Sequence, residues 1–249
     1  MTTFEKLVAE AKHDPNIIGL WLGGSRGKGL ETLHSDFDCL MIVADDAVVG
    51  YRERFQGNGR DGVDCQVMTL GGFAAYGDWD GSQRWDRYNF AHTAPPLVDK
   101  TGKMQSLINE NGYVPAYKRT AFIDTSIDHF INQVYRVAKC QRDGLAVAAR
   151  IEAASALEPL LDAVFALDGG RLRPFAKYLA WALRTHPLGK LPWEPDAFVA
   201  LLLDALSEPI LPALQELLTG IERLARTHGH DAVFDAWGQT LDWMRTFRP

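Results

Sequence analysis

The stretch Leu22-Gly23-Gly24-Ser25-Arg26-Gly27-Lys28-Gly29, with Ser35-Asp36-Phe37-Asp38-Cys39-Leu40 following it, decides how the first half of this chain reads. Ahead of it, Ile17-Ile18-Gly19-Leu20-Trp21-Leu22 is a short apolar run that stops at glycines, the pattern of a buried strand. Residues 26–33 could then form a short helix. Phe37 to Ala44 reads as a second strand. Side chains alternate faces along a strand, so Asp36 and Asp38 are expected on one face, with Phe37 and Cys39 on the other.

Glycines allow backbone N–H groups to approach a phosphate closely. Two nearby ionised carboxylates repel and persist together when a cation lies between them. Hard oxygen ligands with few histidines nearby favour magnesium or manganese over zinc. Magnesium keeps waters and is completed by substrate phosphates, so the combination suits a magnesium–triphosphate site. The glycine run is not a Walker loop, because Lys28 is followed by Gly29 rather than Ser or Thr. Its glycine spacing also fails the dinucleotide-binding pattern. A glycine turn of purely structural meaning is the competing reading, and an isolated Asp-x-Asp occurs often by chance.

A third carboxylate is expected on a neighbouring strand. Val63-Asp64-Cys65-Gln66-Val67-Met68 alternates apolar and polar residues, which turns Asp64 to the polar face. Asp64 could act as general base or as a metal ligand. Asp61, in the loop Gly57-Asn58-Gly59-Arg60-Asp61-Gly62, is the runner-up.

Beyond the site, strand and helix patterns alternate up to about residue 115. Phe4, Leu7, Val8 and Ala11 mark a helix stopped by Asp14-Pro15-Asn16, Asp46–Phe55 reads as another, and Pro96-Leu97-Val98-Asp99 begins a short strand. From about 118 only helical patterns remain. Ile123, Ile127, Phe130, Ile131, Val134 and Ala138 lie at three- and four-residue spacings. Further helices are expected over 145–167, bent at Pro159, and over 174–184, 196–206, 209–227 and 231–246. The expected architecture is α+β: a mixed sheet flanked by helices over 1–117, then a helical bundle over 118–249.

Composition narrows the function classes. Of 249 residues, 47% are hydrophobic and 23% charged, ample for a core and ordinary for a globular protein. The net charge of −6 argues against non-specific nucleic-acid binding. Acidic residues outnumber basic ones by 16 to 11 over 1–115 but only by 16 to 15 over 116–249. Cys39, Cys65 and Cys140 give no disulfide framework and no zinc spacing. With no signal peptide or membrane-length apolar run visible, a cytoplasmic location is expected.

Leu22-Gly23-Gly24-Ser25 and Ser35-Asp36-Phe37-Asp38-Cys39-Leu40 together resemble the signature of the DNA-polymerase-β-like nucleotidyltransferase superfamily. That signature is a hydrophobic residue, Gly, Gly or Ser, a spacer, then Asp-hydrophobic-Asp. The likeness covers about twenty residues, and Asp64 extends it by strand position. The two-part organisation is similar to the aminoglycoside nucleotidyltransferases, which implies a catalytic domain over 1–117 and a substrate-binding helical domain over 118–249. Arg173-Pro174-Phe175-Ala176-Lys177-Tyr178-Leu179 looks like their helical element that places a lysine near the triphosphate.

The resemblance implies transfer of a nucleoside monophosphate, AMP from ATP, to a hydroxyl of a small molecule such as an aminoglycoside-like antibiotic. Gly23, Gly24 and Ser25 would bind the triphosphate, with Arg26 and Lys177 as further contacts. Asp36, Asp38 and Asp64 would be the catalytic carboxylates and hold two Mg2+ ions. Expected partners are ATP and a small hydroxylated acceptor, with a homodimer as one arrangement, and no membrane or nucleic acid. The alternatives are the same fold modifying a tRNA or a protein, and a non-catalytic antitoxin-like binding protein.

Other residues carry plainer readings. Lys28 flanks the turn as Arg26 does. Lys139 and Arg142 suit a helix C-terminus, where positive charge is favourable. His34 suits the surface. Trp79-Asp80-Gly81-Ser82-Gln83-Arg84-Trp85-Asp86-Arg87-Tyr88 suits either an acceptor pocket or an interface cap. Trp181, Trp193, Trp237 and Trp243 fit helical core positions.

Overall fold

A computed structural model describes residues 1–249 apart from Asn58 and Gln83 and the side chains of Arg60 and Trp85. The chain divides into two compact units, Met1–Tyr113 and Val114–Pro249. The fold is α+β, a mixed sheet flanked by helices followed by a helical unit.

The first unit begins with α1 (Thr3–His13), started by a capping box in which Thr2 and Glu5 satisfy each other's backbone N–H groups. β1 (Ile17–Leu22), the single-turn α2 (Gly24–Gly27), β2 (Phe37–Val43), α3 (Val48–Phe55) and β3 (Val63–Thr69) follow. α4 (Leu70–Tyr76), a 3-10 segment (Arg84–Phe90), β4 (Val98–Asp99) and α5 (Lys103–Asn111) complete the unit. The strand order is β3-β2-β1-β4. β1 pairs antiparallel with β2 and β4, whereas β2 and β3 run parallel. Parallel neighbours need a crossover, and α3 supplies it.

Alternation along the strands splits the core. Leu20, Cys39, Met41, Val43, Val63, Cys65 and Val67 pack with Leu7 and Ala11 of α1 and with Tyr51 and Phe55 of α3. Leu40, Ile42 and Met68 face the other way, against Phe73 of α4, Phe90, and Met104 and Ile108 of α5. β2 is therefore apolar on both faces beyond its first two residues, as a central strand covered on both sides should be.

In the second unit, α6 (Arg119–Arg142) and α7 (Ala146–Leu167) form a hairpin around Gly144, which has the positive φ of a tight turn. α8 (Leu179–Thr185), α9 (Pro195–Asp204), α10 (Ile210–Arg226), α11 (Asp231–Asp235) and α12 (Gly238–Thr246) follow. α7 runs on through Pro159 as one element.

Several expected elements differ. The helix expected over 26–33 is only the single turn Gly24–Gly27, because Gly29 takes a positive φ and ends it. The helix expected over 231–246 is two helices, broken where Gly238 adopts φ 47°. The 174–184 segment opens with a 3-10 turn (Ala176–Tyr178) before α8. The four tryptophans expected in the core are half-buried instead. Trp193 stacks on Phe198, and Trp243 packs edge-on to Tyr135. Among the described residues no helix is long and apolar enough to cross a membrane.

Candidate active site

The end of β1 and the starts of β2 and β3 meet at one edge of the sheet, since Leu22 pairs with Cys39 and Asp38 pairs with Asp64. The chain leaves β1 at Gly23, whose N–H donates to the Asp38 carbonyl at 2.7 Å. It then closes α2 with bonds from Gly27 N–H to the Gly23 carbonyl and from Leu30 N–H to the Ser25 carbonyl, at 2.7 and 2.8 Å. Gly24 has φ 57°, and a Cβ there would run into the Asp38 carboxylate. A Cβ on Gly27 would strike the Leu22 carbonyl. Two glycines of the motif are thus explained sterically: the turn is wrapped onto the backbone of β1 and the side chain of Asp38. Ser25 is buried within it.

Asp38 and Asp64 occupy equivalent places on parallel neighbours, about 4.8 Å apart across the ladder. Both side chains are exposed. They share the face of Leu40 and Gln66, while Cys39 and Cys65 oppose each other on the buried face. Burial chiefly, then Cys65 and the two carboxylates, pushes the Cys39 thiol far up. Cys65 rises to about 12, through burial first and Asp64 second.

Asp36 stands apart from this pair. β2 begins at Phe37, as the sequence reading has it, and Asp36 lies in the exposed segment just before it. The backbone there is held by a turn, with Ser35 N–H on the Thr32 carbonyl, rather than by a ladder. Among the described residues no three His, Cys, Asp or Glu side chains are grouped closely enough to hold a metal ion. The expected three-carboxylate shelf is therefore reduced to two neighbouring carboxylates. Asp61, the runner-up, is turned away: its carboxylate accepts from the Thr3 hydroxyl of α1 at 2.5 Å. The donor chemistry of Asp38 and Asp64 suits magnesium held by two carboxylates with phosphate oxygens completing the shell.

Arg26 serves the loop. Its Nε and Nη2 both donate to the Ser35 carbonyl, at 3.1 and 2.8 Å, and the guanidinium covers the Phe37 ring at 3.9 Å. Phe37 in turn stacks on Phe4. The segment between α2 and β2 is thereby pinned at both ends. Lys28 places its ammonium on the carbonyls of Ala91 and His92, at 2.8 and 3.4 Å. That bond pattern, and the donation from Trp21 Nε1 to Thr93 Oγ1 at 3.1 Å, had no signal in the sequence, because each joins residues more than sixty positions apart.

In the second unit, Arg173 is buried and paired with Asp162 at 2.9 Å and Glu158 at 3.2 Å, both on α7. Lys177 is exposed on the 3-10 turn, its ammonium over the Tyr178 ring. Arg142 pairs with its neighbour Asp143 at the end of α6, and His34 is exposed. The aromatic segment 79–88 is mostly packing. Trp79, Asp86 and Arg87 are buried, and Asp86 accepts from the Tyr76 hydroxyl. Gln83 and the Trp85 side chain in that segment, and Asn58 in the glycine loop, lie outside the described residues.

No protein-family model matches the sequence, and no curated protein matches it. Among solved structures, the nucleotidyltransferase-like protein from Exiguobacterium sibiricum 255-15 aligns with 95% of this chain and 78% of its own, at 13% identity and a TM-score of 0.43.

Proposed function

We propose that the chain is a metal-dependent nucleotidyltransferase that moves a nucleoside monophosphate, AMP from ATP, onto a hydroxyl of a small molecule. One observation carries this reading. Asp38 and Asp64 lie side by side in register, and the glycine turn is fitted against Asp38 so closely that a Cβ at Gly24 would run into its carboxylate.

In this reading Asp38 and Asp64 would hold magnesium. The ion would offset charge that develops on the transferred phosphorus and on the departing pyrophosphate. Gly23, Gly24 and Ser25 orient the triphosphate. Asp64 takes the proton of the acceptor hydroxyl as it attacks the α-phosphorus. Pyrophosphate leaves as the bond to the β-phosphate breaks.

The test is pyrophosphate release from each of the four common nucleoside triphosphates with magnesium, against a panel of hydroxylated acceptors that begins with aminoglycosides. The expected result is acceptor-dependent release that falls by at least about 100-fold in Asp38→Asn, the size seen when a preorganised charge is removed. Absence of both release and magnesium-dependent triphosphate binding would overturn the reading.

A further inference from the structure

We propose that Trp21 and Lys28 are positioning residues that strap the glycine turn, from both of its ends, to the irregular segment Ala91–Ala94. Trp21 lies two residues before the turn and Lys28 directly follows α2. The buried Trp21 indole donates to Thr93 Oγ1 at 3.1 Å and to the Ala94 carbonyl at 3.3 Å. Its ring also fills the space where Gly23 would carry a side chain. On the far side, Lys28 Nζ reaches the carbonyls of Ala91 and His92, while its backbone N–H bonds to the Ser25 carbonyl at 3.2 Å.

The segment needs such support. Residues 91–94 belong to no helix or strand, so their carbonyls have no ladder to join. His92 sits at φ 54°, an uncommon conformation for a residue with a side chain, and such residues persist where their surroundings over-determine them. Burial lowers the Lys28 ammonium to about 8, as expected of a cation drawn out of water to serve backbone carbonyls. Because Gly24 abuts the Asp38 carboxylate, whatever fixes the turn also fixes that carboxylate.

The catalytic consequence rests on the nucleotidyltransferase reading, whereas the strap itself does not, and the experiment separates them. Amide hydrogen exchange would be followed over residues 20–30 and 88–97 in the wild type, Lys28→Met, Lys28→Arg and Trp21→Phe, beside the kcat and KM of pyrophosphate release. Lys28→Met should speed exchange in both segments together and lower kcat by about tenfold or more, since small misplacements of a reacting group are costly. Lys28→Arg, which keeps the cation, should restore part of both. Unchanged exchange in either segment would overturn the strap, whether or not the wild type turns over nucleotide. Faster exchange with unchanged kcat would overturn the positioning role. If Lys28→Met does not fold, Trp21→Phe carries the same comparison, since it keeps an aromatic ring while removing the N–H donor and the part of the indole that lies against Gly23.

Discussion

Asp38 and Asp64 are register partners on parallel strands, two exposed carboxylates placed side by side at one edge of the sheet. Like charges directly opposite across a ladder destabilise it. A fold that keeps such a pair gives up stability for something else, and active sites are the usual reason. Asp64→Asn should therefore stabilise the metal-free protein, by about 0.5 kcal/mol, while pyrophosphate release falls by at least about 100-fold. Urea unfolding without and with magnesium checks this. The stabilisation should shrink when magnesium is added, because the ion removes the repulsion that the substitution relieves. A variant less stable than the wild type in the absence of metal would show that the pair is held by interactions other than mutual repulsion.

Gly24 and Gly29 separate backbone strain from contact. Both have positive φ, 57° and 68°. A Cβ on Gly29 meets nothing, whereas one on Gly24 runs into the Asp38 carboxylate. Gly29→Ala should cost only the left-handed penalty, about 1 kcal/mol, with activity close to wild type. Gly24→Ala should carry that penalty and also displace Asp38, so that turnover is lost out of proportion to stability. Thermal unfolding beside kcat/KM measures both. Equal activity losses in the two variants would place the effect in the backbone of the turn rather than at Asp38.

The strands and their polar positions were legible because they rest on a period of two. Val63, Cys65 and Val67 do face the core, and Asp64 does not. The start of β2 at Phe37 was legible too, but the parity that Asp36 shares with Asp38 does not carry Asp36 into the ladder beside Asp64. Arg26 and Arg173 carried charges that suit phosphate, yet each has carbonyl or carboxylate partners nine or more positions away that no local pattern reveals. The glycine motif was visible as glycine, but its steric reason lies in the Asp38 side chain, fourteen residues on. The break at Gly238 was hidden inside an apolar spacing that continues across it.

The three thiols should differ sharply in reactivity. Cys39 and Cys65 are buried and opposed on adjacent strands, and both thiols are raised, Cys65 to about 12. A thiolate is the reacting species, so at pH 8 both should be inert in the folded protein. Cys140 is only half-buried. Labelling of the native protein should modify one thiol per chain promptly, at Cys140, and reach three only on unfolding. The sign of the pH effect follows from the same shifts. A protonated thiol favoured by folding contributes stability below its unfolded pKa of about 9, and that stability is lost as pH rises from 9 towards 12. A Cys65→Ala variant should lack the part of the alkaline destabilisation that the wild type shows across that window. Prompt labelling of Cys65 in the native state would contradict its burial.

Arg87 should be the most costly single charge to remove from the first unit. It is buried, and its two terminal nitrogens donate to four acceptors: the Gly77 carbonyl, Asn111 Oδ1, and the carbonyls of Glu110 and Tyr113. Gly77 closes α4, and Glu110 lies in the last turn of α5, so one guanidinium serves two helix C-termini at once. Those ends carry partial negative charge and carbonyls with no partner in their own helix. Removing the cation leaves two buried acceptors, the Gly77 carbonyl and Asn111 Oδ1, and two part-buried carbonyls without their donor, each buried one costing about 1–3 kcal/mol. Arg87→Met should thus lower stability by about 3 kcal/mol or more, enough to unfold a marginal domain. Arg87→Lys should recover only part, because a single ammonium cannot span a site built for a planar fork. Urea unfolding gives both values. A loss below about 1 kcal/mol in Arg87→Met would show that the four acceptors find other donors once the guanidinium is gone.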